Sequence, residues 1–327
     1  MAREHLTVAV PRAGARCASA RIPRFPAVTP IRERRIELAG FRTRALELDG
    51  TADEAPLILL HGWGDSADCW RPLVPHLARR GRRVTALDMP GFGEAARLDR
   101  ERGVLAQLDR FAAAAIREVA ERAGAEVVVA GNSLGGCVAM RAAERAELPL
   151  AGIVPVAPAG LDMAQWFTII ETTPIVRALL RAPFPLPETV VREAVGRTYR
   201  SVAFTKPSAV DATAVSSFTR HLADRRDVIR LLVTGRRLKP ELQDGCFRLE
   251  RIACPVLLVW GDSDKMVYPS GAERVLREVE EVRFEVIPRC GHCPQVERPG
   301  ALAGLIEGFP ARHADPATNV AGDAEAA

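Results

Sequence analysis

Ser133 stands in A-G-N-S-L-G-G (130–136), between the apolar run E-V-V-V-A and a stretch that opens as a helix near Leu134. A G-x-S-x-G turn joining a strand to a helix lifts the serine hydroxyl above the strand's end. Gly131 and Gly135 are needed there because a Cβ would collide with neighbouring backbone. A hydroxyl is a poor nucleophile until a base takes its proton, so a histidine is required. His5 and His313 fall in the tails, His76 lies in a helical pattern beside Pro75, and His221 lies among helical patterns of the middle region. His61 ends an apolar run in L-L-H-G-W-G. His292, in R-C-G-H-C-P-Q-V-E-R-P, directly follows the last strand pattern, on the strand-end side where α/β active sites assemble. It is the expected base. Its imidazole needs an acid to fix the tautomer and stabilise the cation. The run P-V-L-L-V-W leads into G-D-S-D-K-M-V-Y-P, and spacing alone leaves both Asp262 and Asp264 open. Asp88, in L-D-M-P-G-F-G, precedes the serine and reads as a turn residue.

The elements that must position these groups are short apolar strands alternating with helices. Arg34 to Asp49 alternates about Ala39-Gly40 and predicts a β-hairpin. Strands are then expected at Pro56–Leu60, Arg83–Leu87, Glu126–Ala130, Leu150–Val156, Pro255–Trp260 and Val282–Ile287. They are Leu-rich or β-branched with little alternation, as befits parallel strands buried on both faces. Helices are expected over about 68–80, 103–123, 134–146, 269–280 and 299–309. The class is therefore α/β with a mostly parallel central sheet flanked by helices. The alternation stops once, from Gly160 to about Gln243, where helical patterns are broken by several prolines and carry an apolar stripe from Trp166 to Leu180. A segment of this length is too long for a plain loop and reads as a helical insertion. The expected organisation is a basic flexible extension (1–33), a core (34–158 and 247–310), a helical cap or lid (159–246) and a disordered tail (311–327).

Composition bounds the function. The chain has 327 residues, 48% of them hydrophobic and 26% charged, which excludes general disorder. No apolar run approaches the ~18 residues that span a bilayer, so no stable membrane insertion is expected. The net charge is +4, but aromatics are only 5% and no basic stripe interleaves with them, which argues against a nucleic-acid partner. The seven cysteines are irregularly spaced, which fits a reducing compartment rather than a disulfide framework. Residues 1–30 carry arginines without an export-type apolar core, so the cytoplasm is expected. Cys290-Gly291-His292-Cys293 is a C-x-x-C motif, but it lies near the chain's end rather than on an early strand-to-helix junction, so a redox enzyme is disfavoured. A disulfide there would distort His292. Convergent metal ligands at characteristic spacing are not evident, and neither metal nor cofactor is expected.

Five segments occur in order: H-G-W-G at 61–64, D-M-P-G-F-G at 88–93, G-N-S-L-G-G at 131–136, G-D-S-D with Pro269, and G-H-C-P-Q-V-E-R-P at 291–299. Over roughly 34–310 the chain resembles the α/β-hydrolase fold family, in which nucleophile, acid and histidine follow this chain order. The resemblance implies Ser133 as nucleophile, His292 as base and, by its distance from the glycine, Asp264 rather than Asp262 as acid. It also implies an oxyanion hole made of the Trp63 and Leu134 amides, with the segment 160–243 as the helical cap. The expected activity is hydrolysis of a carboxylic ester of a small to medium hydrophobic substrate through an acyl-enzyme. Members that cleave carbon–carbon bonds of ring-fission products share the G-N-S-x-G-G turn and usually carry a tryptophan after the histidine, where this chain has Cys293. Carbon–carbon hydrolysis, cofactor-free haloperoxidase chemistry and acyl transfer use the same residues. A receptor-like protein that binds a small molecule with little turnover is the expectation from another class.

Overall fold

The computed structural model describes residues 31–163, 187–206, 212–222, 224–243 and 245–311. One eight-stranded sheet runs through the molecule in the order β1-β2-β4-β3-β5-β6-β7-β8. Its strands are β1 (Arg32–Leu38), β2 (Phe41–Leu48), β3 (Leu57–Leu60), β4 (Val84–Leu87), β5 (Val127–Asn132), β6 (Leu150–Val156), β7 (Val256–Gly261) and β8 (Val282–Ile287). β1 and β2 form the hairpin, turning at Ala39 and Gly40, and β2 pairs antiparallel with β4. From β4 to β8 every pairing is parallel. The charged edge strand β1 begins at Arg32, two residues before the alternation is read, because Arg32 and Glu33 still pair with Glu47 and Leu46.

Helices cover both faces. They are α1 (Val74–Ala78), α2 (Val104–Ala123) and α3 (Leu134–Ala143) before β6, and α4 (Glu188–Ala203), α5 (Ala212–Thr219) and α6 (Arg225–Glu241) between β6 and β7. α7 (Ala272–Glu278), α8 (Pro294–Glu297) and α9 (Pro299–Glu307) follow. The period of two in β3 sorts its side chains. Ile58 and Leu60 join Leu108, Phe111 and Met140 from α2 and α3 in one buried layer. Leu57 and Leu59 join Trp70, Leu73, Leu302 and Ile306 in the other. β3 to β7 are buried throughout, as parallel strands between two helical layers must be.

Some helices differ from their expected spans. The stretch 68–80 is a 3-10 turn (Ala67–Trp70) followed by α1, because Pro75 has no N–H with which to continue a helix through Arg71. α3 ends at Ala143, and 269–280 starts as a 3-10 turn (Pro269–Gly271) and stops at Glu278. The Trp166–Leu180 stripe, residues 1–30 and residues 312–327 lie outside the described residues.

Between β6 and β7 the described chain is helical and is fastened to the core at separate points. The Glu241 carboxylate, at the end of α6, accepts from the Val104 and Leu105 amides at 2.8 Å each, capping the N-terminus of α2. Arg220, beyond α5, pairs with Asp68, which is buried on the core beside Arg44. At the end of α4, Ala203 O accepts from the His292 amide at 2.9 Å. Among the described residues, no helix is long and apolar enough to cross a membrane, and no group of three or more His, Cys, Asp or Glu is placed to hold a metal ion.

Candidate active site

Ser133 sits between β5 and α3 with φ 54° and ψ −112°, a conformation L-residues rarely adopt. Strain of this kind costs about 1–3 kcal/mol and persists only where surroundings over-determine it. Here they do. Ser133 donates its amide to Val156 O at 2.9 Å, and its own carbonyl accepts from Cys137 N and Ala159 N. The glycines either side permit the close approach: a Cβ on Gly131 would lie 2.2 Å from the Gly135 carbonyl, and one on Gly135 would lie 2.2 Å from Leu60 O.

Of the two aspartates, Asp264 is the one bonded to His292, with His292 Nδ1 donating to Asp264 Oδ2 at 2.8 Å. The other carboxylate oxygen accepts from the Met266 and Val267 amides at 2.8 and 3.1 Å, so the acid is fixed by backbone. With its proton on Nδ1, the ring keeps Nε2 as the basic nitrogen. Nε2 is buried and has no hydrogen-bond partner among the described residues. Asp262 instead steadies the loop that carries the histidine, accepting from Cys290 N at 3.2 Å.

Asn132, the residue before the serine, joins the two halves of the site. Its amide donates to His292 O at 2.9 Å, and its Oδ1 accepts from Gln295 Nε2 at 3.1 Å. The serine turn and the histidine loop are thereby held in one frame, although no hydrogen bond links Ser133 to His292 Nε2. Loops of free enzymes often tighten such contacts only on binding substrate.

The H-G-W-G loop closes the site. A Cβ on Gly62 would lie 3.4 Å from Ser133 Cβ, so the loop runs along the serine. Leu134 opens α3, where the first N–H groups of a helix have no acceptor within it. His61 is buried and its pKa is lowered to about 4, chiefly by that burial. The neutral ring donates from Nδ1 to Gly62 O at 2.7 Å and accepts at Nε2 from Met89 N at 2.9 Å. It therefore braces the loop. Asp88 serves as a turn residue, accepting from Ala67 N, Glu94 N and Arg44 Nε at 2.7, 2.8 and 3.0 Å.

α4 supplies Tyr199. Its hydroxyl lies 3.3 Å from Asp65 Oδ2 and 3.5 Å from Cys293 Sγ, and its ring stacks on Phe218 at 3.8 Å. Burial pushes the Asp65 carboxyl up to about 7. Burial also pushes the Cys290 thiol up to about 12 and the Cys293 thiol well above its ordinary range. Both are free thiols, held in the protonated form that is least reactive. No sequence pattern marks a role in the site for Asn132, Gln295, Asp65 or Tyr199. Asn132 is adjacent to the serine, but the others are joined only by the fold. His76 and His221 stand elsewhere, His76 bonded to Arg79 and His221 to Arg220.

Beside Trp63 lies a small cavity of about 60 Å³, lined by apolar side chains of the helices between β6 and β7, among them Val195, Phe218, Leu232 and Tyr199, and by Met266 from the loop after β7. Trp63 and Met266 place it against both the loop beside the serine and the loop that holds Asp264.

A model of the alpha/beta hydrolase family matches residues 57–305. A 2-hydroxy-6-oxo-6-(2'-aminophenyl)hexa-2,4-dienoic acid hydrolase of Metapseudomonas resinovorans is 28% identical over 86% of this chain and 92% of its own. A pimeloyl-[acyl-carrier protein] methyl ester esterase of Nitrosomonas europaea is 24% identical over 80% of this chain and 98% of its own. Among solved structures, a bacterial membrane phospholipase A superposes with a TM-score of 0.68 at 22% identity, covering 86% of each chain. A 2-hydroxy-6-oxo-6-phenylhexa-2,4-dienoate hydrolase from a Rhodococcus strain does so at 0.66 and 23%, covering 85% of this chain and 97% of its own. At these identities the structural likenesses speak for the fold. With the family model spanning most of the chain, including β3 to β8 and every residue of the site just described, this chain belongs to the alpha/beta hydrolase family.

Proposed function

We propose that this hydrolase cleaves a carboxylic ester through an acyl-enzyme on Ser133. The observation that carries the reading is the Asp264–His292 bond, which leaves Nε2 basic, in the frame that Asn132 fastens to a strained serine. In the first step His292 Nε2 takes the hydroxyl proton as Ser133 Oγ bonds to the acyl carbon. The resulting oxyanion is held by the Trp63 and Leu134 amides. Losing one such donor typically costs about 10²–10³ in rate. The Asp264 carboxylate stabilises the imidazolium. His292 returns the proton to the departing alcohol, and water, deprotonated by the same nitrogen, releases the acid and regenerates Ser133. The apolar lining beside Trp63 suits a hydrophobic acyl or alcohol group, with residues 159–246 acting as the cap that supplies it.

Carbon–carbon hydrolysis is the second reading, favoured by the 28% identical dienoic acid hydrolase. The test sets p-nitrophenyl esters, from two-carbon to sixteen-carbon acyl chains, beside a phenyl-substituted hydroxy-oxo-dienoate. Ester turnover with a chain-length optimum and little loss of dienoate absorbance supports the esterase. Dienoate cleavage with negligible ester turnover transfers the serine to the second reading.

A further inference from the structure

Outside the apolar cavity lies a second, larger cleft of about 620 Å³, between α6 and the loop 91–100. The two share Leu222 and Leu231 as walls, and Gly64, one residue beyond Trp63, lines the outer one. Their linings differ in kind. The outer cleft carries Arg97, Arg100, Arg230 and Arg237 against a single acid, Asp227, which pairs with Arg230. Arg237 is fixed by donating to the Asp99 and Arg102 carbonyls at 2.8 and 2.6 Å. Arg97 and Arg100 are exposed and form no ion pair among the described residues. His221, also in the lining, has its pKa lowered by burial and by Arg220. Beside these charges the same wall exposes two large apolar side chains, Ile229 and Val233.

We propose that this cleft is a subsite for the anionic end of an amphiphilic substrate. The apolar portion lies in the inner cavity, and a phosphate or carboxylate is received between Arg97 and Arg100. The placement of the scissile bond near Trp63 rests on the ester reading; the anion subsite does not. An apolar chain passing Leu222 and Leu231 keeps contact with Ile229 and Val233 while its charged end meets guanidinium groups, whose planar forks fit either anion. A neutral molecule of the same length gains only the apolar part.

Binding tests this without turnover. The full-length wild-type protein is titrated by calorimetry with dodecyl phosphate, dodecanoate and the neutral dodecyl glucoside, each below its micelle concentration. The anions are expected to bind about tenfold more tightly than the glucoside at low salt, as expected for two or three partly exposed charge pairs. The advantage should shrink in about 0.5 M salt, which shortens the reach of exposed charges. The double variant Arg97→Ser/Arg100→Ser should lose most of it, whereas Arg277→Ser, on the exposed surface of α7, should keep it. A preference for dodecyl phosphate over dodecanoate points to a phosphate-bearing substrate, and the reverse to a dicarboxylic one. Equal affinity for anionic and neutral chains, or an advantage untouched by the double variant, overturns the proposal. Loss of ester turnover in the parallel assay would overturn only the ester reading.

Discussion

His292 donates its backbone N–H to Ala203 O at 2.9 Å, so the last turn of α4 is fastened to the loop that carries the proposed base. Glu297 reinforces the joint, accepting from Gly291 N at 2.7 Å and Thr205 N at 3.0 Å. The C-terminal end of α4 is part of the frame of the site.

Removing that carboxylate therefore acts on both sides of the joint. Glu297→Ala leaves two amides without their acceptor and is expected to cost about 2–4 kcal/mol of stability. Turnover should fall with it, and Glu297→Gln, which keeps one acceptor oxygen, should lie between. Thermal unfolding and kcat measured on the three proteins check this.

Gly135→Ala tests the close packing behind the serine turn. The added methyl would sit 2.2 Å from Leu60 O, and the contact is backbone on both sides, so neither can step aside cheaply. A loss of about 3 kcal/mol or more is expected, in the range of severe overpacking. Denaturant titration reads it, and a wild-type midpoint would contradict the packing described.

Asp65 gives a pH dependence with a definite sign. Its folded pKa of about 7 is raised from 3.8 by burial, so between these values the native state holds a proton that the unfolded chain has lost. Its contribution to stability is therefore greatest below about pH 4, declines as pH rises, and levels off above about pH 7. Asp65→Asn cannot ionise, and its stability relative to wild type should climb across that window by at most on the order of 4 kcal/mol. Denaturant midpoints of both proteins from pH 4 to pH 8 measure the difference. A difference that stays flat with pH would remove the shift.

Asp264→Asn tests the tautomer. Asparagine can keep the bonds from Met266 and Val267 through its oxygen, but its NH₂ would then face His292 Nδ1 and move the ring proton to Nε2. A fall in kcat of about 10³–10⁴ is expected with little change in unfolding temperature.

Much of this arrangement is legible in the sequence because it is local. The buried strands read directly from their runs of Leu, Ile and Val, and β6 and β8 coincide with their expected bounds. The turn at Gly131-Asn132-Ser133 reads from two glycines whose need is steric and immediate. The choice between Asp262 and Asp264 does not follow from spacing, since both follow β7; the family resemblance points to Asp264, and the packed loop turns that residue toward His292. Tyr199 and Asp65 meet across 134 positions of chain, and no pattern around either marks the other. His61 reads as the end of a strand; its bracing role exists only once Met89 lies against it.

The most direct test of the account compares p-nitrophenyl butanoate hydrolysis by wild type and by Ser133→Ala, with circular dichroism confirming that both are folded. The account predicts brisk turnover by the wild type and a fall of about 10⁴-fold or more in the variant, as expected when the nucleophile is removed. Comparable turnover in Ser133→Ala, or none by a folded wild type, would contradict it.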